Sequence, residues 1–247
     1  MKRFLNWQVI LGLILIALSA VVYYVHYLIF RDLHHIFLYL IGDIAFVFIE
    51  VLLVTLVLHS LLANREKKAL LKKLNMVIGA FFSEAGTDLI RAISGFDSDA
   101  SSIAKHLVIN NEWTDSDFGK IQKIVLAHTP VIDHKKIDIS ALKELLSKKR
   151  DFLLTLLENP NLLEHESFTN LLWAVFHLTE ELYHRKNPHA LPDADREHLT
   201  GDIKRVYNLL ISEWLMYMSY LKVDYPYLFS LAIRTNPFDA TASVELK

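Results

Sequence analysis

The chain has 247 residues, of which 53% are hydrophobic, and its 26 basic side chains are nearly balanced by 28 acidic ones. This near-neutral charge gives no argument for binding to nucleic acid, so no nucleic-acid partner is expected. Cysteine is absent, which excludes a disulfide framework and agrees with a reducing compartment.

The first element is a long apolar stretch with no formal charge between Arg3 and Arg31. As a helix rising about 1.5 Å per residue it reaches roughly 40 Å, enough to cross a bilayer. A second apolar stretch follows and is interrupted only by Asp43 and Glu50. Residues 1–63 are therefore predicted to form a transmembrane hairpin with spans of about 4–30 and 36–63, which makes the lipid bilayer a partner.

A cleaved signal peptide is the alternative interpretation of the first span. Lys2 and Arg3 precede the apolar run, and Ala17-Leu18-Ser19 offers small residues for cleavage. The apolar run continues to Phe30, well past that point, which favours a retained span.

Basic residues close to the predicted spans indicate the orientation. The turn between the spans carries Arg31 beside Asp32, whereas two basic residues precede the first span and several follow the second. By the positive-inside rule both termini face the cytoplasm of an inner (plasma) membrane. The basic residues after the second span are Arg65, Lys67, Lys68, Lys72 and Lys73.

Residues 64–247 are predicted to be a cytoplasmic all-helical domain, because their apolar residues recur at helical spacing. The second span is expected to continue as a helix until "SGFDSDASS", where glycine and Asp/Ser residues favour a turn. A capping pattern from Thr114 to Asp117 and the pair Asn159-Pro160 mark later helix boundaries. The helices expected after that turn are 99–109, 114–128, 140–158, 165–186, 193–223 and a last one from Pro226.

Three segments are similar to a known family: "LNMVIGAFFSEAGTDL", "ENPNLLEHESFTNLLWAVFHLTEEL" and "YPYLFSLAIRTNPF". They resemble bacterial and archaeal two-span membrane proteins of unknown function with an all-helical cytoplasmic domain. The resemblance extends over most of the chain and supplies no activity, cofactor or site residue.

Four polar residues form a predicted ladder within the hairpin: Ser19, His26, Asp43 and Glu50. In an antiparallel pair of helices Ser19 lies opposite Glu50 near mid-depth, and His26 lies opposite Asp43 about 10 Å further out. Two interpretations remain open. The ladder is either an acidic lining of an ion or proton path in an oligomer, or a polar clamp that holds the hairpin or its dimer together.

A second cluster lies in the cytoplasmic domain. His177, Glu181 and His184 share one helix face, and Asp195 and His198 open the next helix at the same end. The spacing from Glu181 to His184 is the one used in di-metal bundles, but the carboxylates expected from two further helices are missing. The sequence therefore predicts no metal and no cofactor, with these five residues as weak candidates.

Glu213 is surrounded in sequence by apolar and aromatic residues, which predicts a buried carboxylate with a cationic partner. Arg205 is the first candidate partner, and Arg185 and Arg234 are the others.

The predicted function is a non-enzymatic, self-associating membrane module whose cytoplasmic helices sense or bind an unknown partner. The alternative is an oligomeric cation or proton channel lined by the acidic residues of the second span. A metal-dependent enzyme is a distant third, because the sequence contains no recognisable nucleophile motif.

Overall fold

The computed structural model describes residues 2–160, 162 and 165–245. Throughout this described part the regular structure is helical, and the predicted all-α class is confirmed. The chain divides into two compact units, Met1–Glu66 and Lys67–Lys247.

The first unit contains helix α1, Lys2–Phe30, and the beginning of helix α2, Leu33–Phe81. The two helices are joined by Arg31, which has a positive φ of 50°, and by Asp32. The Asp32 carboxylate accepts a hydrogen bond from the backbone N–H of His35 at 3.2 Å, which satisfies one of the free amides at the start of α2.

Apolar side chains cover the surface of this first unit. None of the side chains described between Trp7 and Glu66 is buried. By length and composition alone, the segments Val9–Phe30 and Leu33–Ser94 are both able to cross a membrane. These apolar side chains therefore form a contiguous exposed surface in the described part of the first unit.

The second unit is a bundle of helices with its own core. Helix α2 ends at Phe81, a single π-helical turn occupies Phe82–Gly86, and the chain remains helical to Ser94. The helices that follow Gly86 are α3 (Thr87–Ser94), α4 (Ala100–Leu107), α5 (Asp115–Ala127), α6 (Ile139–Leu157), α7 (Glu166–His184), α8 (Asp193–Asp224) and α9 (Pro226–Arg234).

Local sequence signals account for several of the helix ends. Thr114 and Asp117 form a reciprocal capping box at the start of α5, as the sequence predicts. Asp138 caps α6 by accepting a hydrogen bond from the N–H of Ala141 at 2.9 Å. Pro226 is the first residue of α9, where its missing N–H has no helical partner to lose.

Helix α8 is the centre of the bundle. Its residues Val206, Tyr207 and Leu210 are fully buried, and α7, α5 and α9 pack against it. The Tyr207 hydroxyl lies 3.0 Å from the Ser94 hydroxyl, which links α8 to the end of α3. This burial raises the Tyr207 pKa to about 12.

Candidate metal centre

Two histidine–carboxylate pairs meet where α7 packs on α8. His177 and Glu181 are four residues apart on α7, and His198 and Asp202 are four residues apart on α8, so each pair occupies one helix face. The connection between the helices is short, which makes them antiparallel neighbours. His177 lies seven residues before the end of α7 and Asp202 nine residues after the start of α8, so they face each other.

The side-chain atoms of this cluster converge on one oxygen. His177 Nε2 and His198 Nε2 each lie 3.4 Å from Asp202 Oδ2. Glu181 is further away, with 3.9 Å from its carboxylate to each of the two histidine nitrogens. One ligand atom from each of His177, His198 and Asp202 lies within 4.8 Å of the other two.

Asp202 is the buried member of the cluster. Its side chain is 5% exposed, whereas those of His177 and His198 are 47% and 55% exposed. Asp202 Oδ2 has no hydrogen-bond partner, and Oδ1 lies 3.4 Å from an Arg205 guanidinium nitrogen. Leaving a buried charged oxygen without a partner costs about 1–3 kcal/mol or more, so this oxygen is suited to an additional ligand.

Arg185 forms a separate ion-pair network beside the cluster. Its guanidinium binds both carboxylate oxygens of Asp195, at 2.8 and 2.6 Å, and one of Glu181, at 2.6 Å. Hydrogen bonding to Arg185 lowers the pKa of both carboxyl groups, and the same bonds raise the pKa of the arginine. Asp195 is therefore occupied, and Glu181 has one oxygen already engaged.

The five weak candidates from the sequence separate into two groups. His177, Glu181 and His198 come together, whereas Asp195 pairs with Arg185 and His184 lies 3.6 Å from Glu180. Glu180 is itself held by Arg150 at 2.6 Å. The sequence interpretation missed Asp202, although its four-residue spacing from His198 was a detectable signal.

The structure places Arg205 away from Glu213, so the predicted ion pair between them is not formed. Glu213 is buried, with 2% of its surface exposed, and its neighbours are Ser167 and His165 rather than an arginine. Burial raises the Glu213 pKa, and this effect exceeds the opposing influence of the Ser167 hydrogen bond and the His165 charge. The α7 N-terminus therefore supplies the polar neighbours of Glu213.

The predicted ladder residues have different surroundings. Ser19, Asp43 and Glu50 are exposed, and neither a hydrogen bond nor an ion pair joins them to another side chain in the described part of this chain. The His26 ring contacts Phe30 and His35, with centroid distances of 4.8 and 5.8 Å. A clamp inside a single hairpin is therefore not formed.

The fold and the site define an all-α protein that joins an uncovered apolar helix pair to a helical domain with a His/Asp cluster. Residues 2–62 match the family model described as "MJ1433, N-terminal helical domain", and residues 70–234 match "Uncharacterized protein MJ1433, C-terminal helical domain". The chain belongs to the MJ1433 family.

A relative from the archaeon Methanocaldococcus jannaschii carries the printed name "Uncharacterized protein MJ1433". It is 48% identical over 234 residues, which cover 95% of this chain and 94% of the relative. No solved structure matches the chain.

Proposed function

We propose that this protein is a self-associating, non-enzymatic membrane module with two spans, and that its helical domain faces the cytoplasm and senses or binds a partner. The single observation that carries the proposal is the uncovered apolar surface of helices α1 and α2 between residues 7 and 62. Exposed apolar patches beyond a few hundred Å² mark membrane or protein interfaces.

A bilayer is the covering that fits this surface best. The 22-residue segment Val9–Phe30 reaches about 33 Å as a helix, close to the roughly 30 Å hydrocarbon core. All its backbone groups except those at the ends are paired within the helix, as a lipid environment requires.

The charge distribution supports cytoplasmic termini. Basic residues cluster directly after the apolar part of α2, whereas Arg31 lies beside Asp32 in the turn. Positively charged residues near the ends of spans remain on the cytoplasmic side. The orientation places the residues after α2 in the cell interior, where a sensing domain would meet its partner.

Asp43 and Glu50 support self-association. Both lie in the apolar part of α2, and neither forms a hydrogen bond or ion pair with another side chain in the part of the chain that the structure describes. A charged side chain in the hydrocarbon region costs at least about 2.5 kcal/mol, so an acid there is expected to be paired, protonated or in reach of water. A second copy of the hairpin can supply the hydrogen bonds that one copy lacks.

The topology is tested by cysteine labelling, because the natural chain has no cysteine. Leu33→Cys, at the start of α2 next to the turn, is expected to react with a membrane-impermeant maleimide in intact cells. Ser243→Cys and the exposed Ser98→Cys are expected to react only after permeabilisation. Labelling of all three positions from the same side would disprove the hairpin.

A second candidate function is an oligomeric cation or proton channel, which the same unpartnered carboxylates favour. If they line a conduction path, Glu50→Gln should abolish cation flux in reconstituted vesicles while the oligomer keeps its size. A wild-type protein that conducts no cations would leave the polar clamp between copies as the role of Glu50.

A further inference from the structure

We propose that His177, His198 and Asp202 bind one divalent transition-metal ion of the zinc class between helices α7 and α8. This departs from the expectation drawn from the sequence, which lacked Asp202. The site lies wholly within residues 67–247, so it is independent of the proposed membrane topology.

The distances suit a metal ion more closely than they suit direct hydrogen bonds. In a tetrahedral site with metal–ligand distances of roughly 2.0–2.2 Å, the ligand atoms lie roughly 3.3–3.6 Å from one another. Asp202 Oδ2 is 3.4 Å from each of the two histidine nitrogens. One ring nitrogen of each histidine and one oxygen of Asp202 all lie within 4.8 Å of one another, and both rings are partly exposed, so the rings have space to approach a shared ion.

The donor set selects the kind of metal. Two imidazole nitrogens and one carboxylate oxygen suit zinc, iron, cobalt or nickel, whereas calcium and magnesium require mostly oxygen ligands. The half-exposed imidazoles leave the remaining coordination position open to water. Glu181 lies 3.9 Å from both imidazole nitrogens and can approach as a fourth ligand or orient that water.

A plain ion-pair triad is the competing explanation, and it accounts for the cluster less well. Two imidazoles direct the same ring atom, Nε2, at the same carboxylate oxygen, yet that oxygen has no hydrogen bond from either of them. One ion placed between the three atoms satisfies the buried oxygen and both nitrogens together. Arg185 does not compete for these atoms, because the four described hydrogen bonds of its side chain go to Asp195 and Glu181.

The test is a zinc titration of the full chain in detergent. The protein is purified without a metal-affinity tag, freed of metal by chelator and titrated with Zn²⁺ in a calorimeter. One equivalent is expected to bind. Loss of a residue that only orients a metal ligand typically lowers the metal affinity by roughly 10- to 100-fold. His198→Ala and Asp202→Asn each remove a ligand atom, so each should lower the zinc affinity by more than that.

His184→Ala is the matched control, because His184 is on α7 together with the proposed ligand His177 but pairs with Glu180. It should bind zinc as the wild type does. Cobalt bound to the wild type should show the visible absorption of a tetrahedral site, and His198→Ala should lose it. His198 is more than half exposed, so this variant remains informative even if Asp202→Asn fails to fold.

Two results would overturn the metal site. One is binding of clearly less than one equivalent of zinc and cobalt by the folded wild type. The other is stoichiometric binding that His198→Ala leaves unchanged, since the ion would then occupy other residues among the 12 histidines. Either outcome would leave the cluster as an ion-pair triad between α7 and α8.

Discussion

Glu213 is a carboxylic acid that the fold holds almost completely away from water. Its pKa is raised chiefly by burial, so the folded protein retains the proton at pH values where the unfolded chain has released it. The unfolded state then binds fewer protons, and stability falls as the pH rises from the unfolded pKa to the folded one. Glu213 therefore destabilises the protein at neutral pH relative to acidic pH.

Replacing this acid with its amide should remove the penalty. Glu213→Gln keeps the shape and an oxygen that can accept from Ser167, and it cannot ionise. At pH 7 the variant should be more stable by about 1.4 kcal/mol for each unit by which the folded pKa exceeds the unfolded one. Below pH 4 the two proteins should converge, and chemical denaturation at several pH values measures this difference.

Glu213→Leu is the companion variant, because it removes both the charge and the hydrogen bond to Ser167. A Gln variant that is less stable than wild type at pH 7, by the same amount at every pH, would show that Glu213 is not destabilised by its charge. The raised pKa would then have no consequence for folding.

At the scale of elements, the π-helical turn Phe82–Gly86 is a local departure from α-helical geometry within the second unit. Thr87 directs both its backbone N–H and its hydroxyl to the carbonyl of Phe82, which is the five-residue spacing of a π turn. The turn places the buried rings of Phe81 and Phe82 next to each other. The Phe81 ring packs edge-on against Phe168, with a centroid distance of 5.4 Å.

Gly86 has no side chain, and the rings of Phe81 and Phe82 fill the space where a side chain would lie. A β-carbon at this position would lie 2.6 Å from a ring carbon of Phe82 and 2.8 Å from one of Phe81. Gly86→Ala should therefore destabilise the domain by about 1–3 kcal/mol, the usual effect of overpacking a core. Thermal or urea unfolding measures the change.

Gly119→Ala is the matched control, because Gly119 is exposed within α5 and has open space around it. Alanine there should stabilise the protein by about 0.5–1 kcal/mol through helix propensity. Equal effects at the two positions would contradict the packing argument for Gly86.

The element boundaries show what a sequence can predict. Periodicity and capping signals located the helices because both depend on residues close together in the chain. They also placed His177 with Glu181 on one face. The sequence prediction wrongly grouped Asp195 with His177, because the register between α7 and α8 depends on the packing of whole helices. In the structure it is Asp202 that lies beside His177.

Packing between helices also explains why the sequence predicted the wrong partner, Arg205, for Glu213. Arg205 and Glu213 are on one helix, and their spacing leaves open which other helices surround the acid. The start of α7 covers Glu213, whereas Arg205 reaches Asp202 on the solvent side. The π turn was also absent from the sequence prediction, since its apolar spacing is close to that of an ordinary helix.

At the scale of the whole molecule, the chain combines a unit with its own core and a unit whose apolar surface is exposed. Hydropathy predicted both parts, because it depends only on composition along the chain. The number of copies in any assembly depends on contacts between chains, so neither sequence spacing nor a single chain determines that number.

The central claim is that this chain self-associates through its two apolar helices, and the most direct test is the number of copies in lipid nanodiscs by native mass spectrometry. We predict two or more chains per particle. Glu50→Leu should weaken association by roughly 0.5–2 kcal/mol and shift the population toward single chains. Val51→Leu, on the adjacent and wholly apolar position, should leave the number unchanged. A wild-type protein that remains a single chain at every protein-to-lipid ratio would contradict the account.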